Sequence, residues 1–192
     1  MPTPETADLD QLFHDHYRAV LRYVVRRAGD RDRAHDIAAE VFLVAWQRRR
    51  ELPAQRALPW LYGVAANVLA HARRSDLRAA SAYGRFGNNL VTRSDPGPGE
   101  QLEWSDDLAQ TLTALRELSP ADQEVLMLVA WEELRGKDLA AALGCSSAAA
   151  AVRLHRARRR LAAVRARHGR QESERSAGSA VVAGQSNLQG EH

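Results

Sequence analysis

Eight arginines stand between Arg153 and Arg170 with no acidic residue among them. Guanidinium groups at that density repel one another and need an anionic partner. Each offers a planar fork of donors that fits phosphate oxygens and the major-groove edge of guanine. Ala150, Leu154, Ala157, Leu161 and Val164 recur at three and four, which makes them the inner seam of a helix. Arg153, Arg156 and Arg160 fall off that seam, free to reach phosphates or bases. The chemistry on offer is recognition of a polyanion, with no bond made or broken.

A second polar stripe lies upstream. Asn67, His71, Arg74 and Arg78 repeat at four, three and four, with Arg73 adjacent and Trp60 and Tyr62 ahead of them. An amide, an aromatic face and arginines suit unstacked bases and their backbone. Trp60 fits either a base platform or a core anchor, and Tyr62 reads as a core anchor. A third stripe, Asp36, Glu40, Leu43 and Gln47, has the same spacing and mixes acid with apolar. It suits a basic protein surface or a plain solvated face.

Several other chemistries find no support. The seven histidines form no HExxH or comparable metal spacing, and His14 and His16, two apart, cannot share a helix face. There is no P-loop, GxGxxG or nucleophile elbow, so neither catalysis nor a cofactor nor a metal is expected. The one cysteine, Cys145, forbids an internal disulfide and reads as a small packing residue. No apolar run approaches the ~20 residues of a membrane span. The N-terminus lacks a basic, apolar signal pattern, so a cytoplasmic protein without membrane insertion is expected. A net charge of +3 implies little; its clustering carries the argument.

The elements that must position these stripes are helical. Leu12, Phe13, Tyr17, Val20, Leu21, Val24 and Val25 predict a helix over about 9–28. Ile37, Ala38, Val41, Phe42, Val44 and Ala45 predict a second from Asp32, and Leu61, Val64, Ala65, Val68, Leu69 and Ala72 a third over 60–77. Residues 79–105, rich in Ala, Ser, Gly, Asn and Pro, read as a flexible linker. Leu108, Leu112, Leu115 and Leu118 resume the helical pattern. Ser119-Pro120-Ala121-Asp122 is a strong helix start. A short helix from Lys137 stops at Gly144, and Ser146 or Ser147 caps the next, to about Arg167: helix-turn-helix grammar. Residues 169–192 show no periodicity and read as a disordered tail. The expected architecture is all-α: two small helical domains on a flexible linker.

Four stretches carry a family resemblance: Asp36-Ile-Ala-Ala-Glu-Val-Phe-Leu-Val-Ala-Trp46, Pro59-Trp-Leu-Tyr-Gly-Val-Ala-Ala-Asn67, Leu118-Ser-Pro-Ala-Asp-Gln-Glu-Val-Leu126 and Arg153-Leu-His-Arg-Ala-Arg158. In this order they resemble the extracytoplasmic-function (ECF) sigma factors of RNA polymerase, over about residues 9–168. The resemblance implies a region-two domain at 9–78, a three-helix bundle that binds the clamp helices of the largest polymerase subunit through Asp36, Glu40, Leu43 and Gln47. Trp60, Asn67, His71, Arg73, Arg74 and Arg78 match its segment that melts and reads the minus-ten element. The region-four domain, 106–168, is implied to read the minus-thirty-five element through Ser147, Ala149, Arg153, Arg156 and Arg160, and to sit on the polymerase flap. Core RNA polymerase and promoter DNA are the implied partners, with an anti-sigma factor as a further one. One departure weakens direct base readout: Ala148 to Ala151 are all alanine, which can touch a thymine methyl but cannot hydrogen-bond a base edge. The alternative is a stand-alone helix-turn-helix regulator, which would bind duplex DNA without polymerase.

Overall fold

A computed structural model describes residues 4–28, 30–53, 55–82 and 105–186, with side chains over 10–28, 30–53, 55–79 and 105–171. Among them are seven α-helices and no strand: α1 (Pro4–Ala28), α2 (Arg31–Gln47), α3 (Ala57–Ala82), α4 (Asp106–Arg116), α5 (Pro120–Ala130), α6 (Gly136–Ala142) and α7 (Ser147–Ser186). By packing they gather into two compact units, one within Met1–Glu100 and Met127–Val152, the other within Gln101–Leu126 and Arg153–His192.

The first unit is built on α1, α2 and α3, each of which packs on the other two. Val20, Tyr23 and Val24 of α1 meet Ile37, Ala38, Val41, Phe42 and Ala45 of α2 and Leu61, Val64, Ala65, Val68 and Leu69 of α3, all buried. The apolar stripes of α2 and α3 are thus the ones the sequence shows. In α1 the buried line shifts toward Tyr23, whose ring stacks on Tyr62 at 4.9 Å, while Phe13 stays half-exposed. Asp30 caps α2 by accepting from the N–H groups of Asp32 and Arg33.

This unit also takes in part of the second sequence module, because apolar residues in α6 and just before it are buried there. Leu134 and Leu139 are buried, and α6 packs on α3. The partition therefore differs from the division at 79–105 drawn from composition. Composition sets 79–105 apart, but it does not say which surfaces the chain brings together beyond that stretch.

The second unit holds α4, the start of α5 and most of α7. Ala114 and Leu118 pack with Val164, flanked by Leu115, Leu126 and Leu161. Ser119 opens α5 as expected: its Oγ accepts from Asp122 N–H at 3.2 Å and donates to Asp122 Oδ2 at 2.7 Å. Arg160 donates to both Asp122 oxygens, at 2.8 and 2.7 Å. The turn before α7 closes α6 with Gly144 at φ +58, a left-handed conformation that glycine adopts without penalty. Cys145 N–H then donates to Ala140 O at 3.0 Å and Gly144 N–H to Ala141 O at 3.3 Å, so two end carbonyls of α6 are satisfied. Ser146, of the two serines considered, provides the cap of α7: its Oγ accepts from Ala149 N–H at 3.2 Å.

The structure lengthens three helices. α1 begins at Pro4 and α3 runs to Ala82, while 83–104, the rest of the expected linker, lie outside the described residues. α7 continues through Gly169 to Ser186, where a tail was expected; 187–192 lie outside the described residues. The correction has a plain cause. Apolar periodicity signals burial, whereas a helix already nucleated can propagate through Ala, Glu, Arg and Gln without burying a face.

The Ser119–Asp122 pair should be measurable. The hydrogen bond from Ser119, with Arg160 beside it, holds the Asp122 carboxyl below the usual range. Its contribution is present at neutral pH and disappears as pH falls through the native value. Ser119→Ala should cost about 1 kcal/mol, seen as faster amide exchange in α5, and Asp122→Asn should flatten the acid-side loss. Unchanged exchange in both variants would refute the cap.

Candidate functional site

The α3 stripe faces outward because its opposite side is pinned. Arg73 donates to the Arg27 carbonyl at 2.9 Å, satisfying the end of α1, and Asp76 pairs with Arg33 of α2 at 2.5 Å. Asn67, His71, Arg74 and Arg78 are left exposed. His71, Arg74 and Arg78 line an open depression together with Leu77, which is half-exposed. The sequence reading missed Leu77; the signal was an apolar residue one position short of a basic stripe. Arg73, grouped with that stripe from sequence, spends its guanidinium on a helix end. Trp60 is partly buried at the start of α3, with the Arg48 guanidinium 5.6 Å from its ring centre. Tyr62 is buried, as its core reading anticipated.

The α2 stripe is exposed along its length. Asp36, Glu40 and Gln47 are open to solvent, and Leu43 is 57% exposed although Val41 and Phe42 beside it are buried. An apolar side chain that open, flanked by carboxylates, is a natural contact for a partner carrying both apolar and basic groups.

On α7 the arginines sort into two sets. Arg160 is held by Asp122, Arg165 pairs with Asp107, and Arg167 and His168 both pair with Glu117. Arg153, Arg156, Arg158 and Arg159 are exposed and carry no ion pair among the described residues. The lack of acids between Arg153 and Arg170 is thus partly made good by Asp107 of α4, Glu117 just after it and Asp122 of α5. Arg160, a sequence candidate for DNA contact, is tied to the fold. Ser147 is exposed and Ala149 half-buried behind the capping serine.

Comparison with known proteins decides what these surfaces belong to. Sigma-70 region 2 matches residues 12–79, and Sigma-70, region 4 matches residues 108–161. The ECF RNA polymerase sigma factor SigD of Mycobacterium bovis is 36% identical, over 74% of this chain and 69% of its own. The chain belongs to the ECF sigma factors of RNA polymerase. SigL of Mycobacterium tuberculosis, also an ECF sigma factor, is 29% identical over 82% of this chain and 88% of its own. The sigma factor RpoE of Bartonella quintana, solved in complex with the anti-sigma factor NepR, shares the fold: TM-score 0.58 at 23% identity, covering 82% of this chain and 96% of that one. Function follows from membership. The protein is a transcription initiation factor that directs RNA polymerase.

Among the described residues of this sigma factor, no group of three or more His, Cys, Asp or Glu is placed to hold a metal ion, and no helix is long and apolar enough to cross a membrane. Tyr62, on α3, is held in its neutral form. Burial, with the charge and the hydrogen bond of Glu132, pushes the Tyr62 phenol up to about 12. A raised native value means that stability is whole below the ordinary tyrosine range and falls as pH climbs from about 10 to about 12. Ultraviolet titration should show one tyrosine ionising late, and Glu132→Gln should bring it earlier. A variant that titrates like the parent would contradict the contact.

Proposed function

We propose that the sigma factor divides promoter recognition among three faces. The α2 face of Asp36, Glu40, Leu43 and Gln47 docks on core polymerase, at the clamp helices of the largest subunit. The α3 face of Trp60, Asn67, His71, Arg74 and Arg78 captures the strand exposed at the minus-ten element. Arg153 and Arg156 hold duplex DNA at the minus-thirty-five element, and Arg158 and Arg159 are open to the same role. Residues 9–78 form the region-two domain and 106–168 the region-four domain, which also rests on the flap. An anti-sigma factor is a further partner, and the cytoplasm, where polymerase works, is the site of action. No catalytic step falls to this chain.

The observation that carries the reading is the solvent exposure of Asn67, His71, Arg74 and Arg78 along one side of a helix whose other side is core. Ordinary core packing does not require four such groups in register. Unstacked bases need aromatic or amide contact to replace lost stacking, and phosphates need cations. On α7 the four alanines at 148–151 leave few groups for reading base edges, so arginine–phosphate contact and DNA shape carry the duplex recognition.

The test is transcription from a mapped promoter with core polymerase, with core binding measured in parallel. Asn67→Ala, at an exposed position, should lower promoter opening about tenfold, within the range of losing one base contact, and leave core binding intact. Trp60→Ala should act in the same direction. Leu43→Arg should do the opposite, weakening core binding first. Arg153→Ala and Arg156→Ala should each reduce the salt dependence of duplex binding by about one counterion. Equal loss of binding and opening in the Asn67 variant would reject the strand-reading face. Tight duplex binding without polymerase would favour the stand-alone regulator.

A further inference from the structure

The opening of the second helix is the part of a helix-turn-helix that meets base edges in the major groove, and in α7 that stretch is nearly bare of polar groups. From Ala148 to Val152 no side chain carries a hydrogen-bonding atom. Ala150 is buried and Ala149 half-buried, whereas Ala148, Ala151 and Val152 are exposed. Ala148 and Val152, four apart, lie on one line of the helix, on the side away from the buried Ala150 and Ala157. Val152 is 48% exposed. The fold does not call for valine there. It is a poorer helix former than the alanines around it, and nearly half of it stays in water.

We propose that Val152 reads thymine: its γ-methyls, with the Ala148 methyl one turn back, pack against the 5-methyl group of thymine in the major groove of the minus-thirty-five element. The proposal rests on the duplex-binding role of α7 and names what that role selects. Phosphates are alike under every base pair, so the arginines position the helix, and shape is read over several pairs at once. A contact on one base edge adds selection at a single pair. Thymine alone presents a methyl in the major groove. Guanine presents acceptors there, and adenine and cytosine a donor; pressed against Val152, each would lose water with nothing to replace it. The stiff χ1 of a β-branched residue in a helix holds both methyls ready, so little freedom is lost on contact. Arg153 beside Val152 and Arg156 one turn beyond are both exposed and can hold the backbone meanwhile.

The test is methyl deletion on the mapped promoter, with holoenzyme made from the full chain and core polymerase. Each thymine of the minus-thirty-five element, on either strand, is replaced in turn by deoxyuridine, which lacks the 5-methyl and keeps the base pair. At one or two positions the replacement should weaken promoter binding about threefold, the scale of withdrawing one methyl from a buried contact. Val152→Ala should weaken binding to the thymine promoter and show no further loss at those positions. An exposed site and the helix preference of alanine keep α7 intact in that variant. No penalty at any thymine, or an element without an A·T pair, overturns methyl reading. An undiminished deoxyuridine penalty in Val152→Ala, as a merely structural valine would give, overturns Val152 as its source. The duplex-binding role fails separately, if Arg153→Ala and Arg156→Ala both leave the salt dependence of binding unchanged.

Discussion

Like charges along one helix repel, and α7 carries its arginines too closely for that repulsion to be ignored. The structure relieves it on one side. Carboxylates from α4, its C-cap and α5, namely Asp107, Glu117 and Asp122, meet Arg160, Arg165, Arg167 and His168. Arg153, Arg156, Arg158 and Arg159 receive no such partner among the described residues. Most of these pairs are exposed and individually weak, so their value lies in where they leave charge rather than in stability. The neutralised arginines orient the helix on Ala114, Leu118 and Val164. The others keep their full field for a polyanion, whose counterions they can displace.

The same economy shapes α3. One face supplies core, one is tied back by Arg73 and Asp76, and one is left to solvent. The strand-binding role proposed for that last face asks for a surface that is polar when empty yet rigid enough to meet bases in a fixed geometry, because ordering it at the moment of binding would cost affinity. Mounting the stripe on a three-helix core meets that need. Trp60 marks the compromise, partly buried and partly open, with a guanidinium near its face.

Much of this was legible in the sequence because it is local. Helix existence follows from spacing at three and four, the start of α5 from Ser119, that of α7 from the pair Ser146 and Ser147, and the stop of α6 from Gly144. The outward stripes are complements of the inward ones. What was illegible is pairwise and long-range. No rule of spacing tells that Arg160 meets Asp122 38 residues back, or that Arg73 is spent on the carbonyl of Arg27. An arginine counted from sequence is a candidate for DNA until its carboxylate is located.

Glu132 shows the same limit more sharply. In the sequence it is one of two adjacent glutamates after Trp131, with the look of a solvated turn. In the structure its side chain is almost wholly withdrawn from water, between Arg26 and Arg27 and beside Tyr62. Burying a carboxylate is costly unless its partners satisfy it, so the chain tolerates Glu132 there only while those cations remain in place. Paired charges add to such a contact something that buried leucines such as Leu134 and Leu139 do not. They make it specific in register, because a shift of one turn strands a charge. Gly63 adds the steric half of that specificity, admitting one backbone at one point on α3.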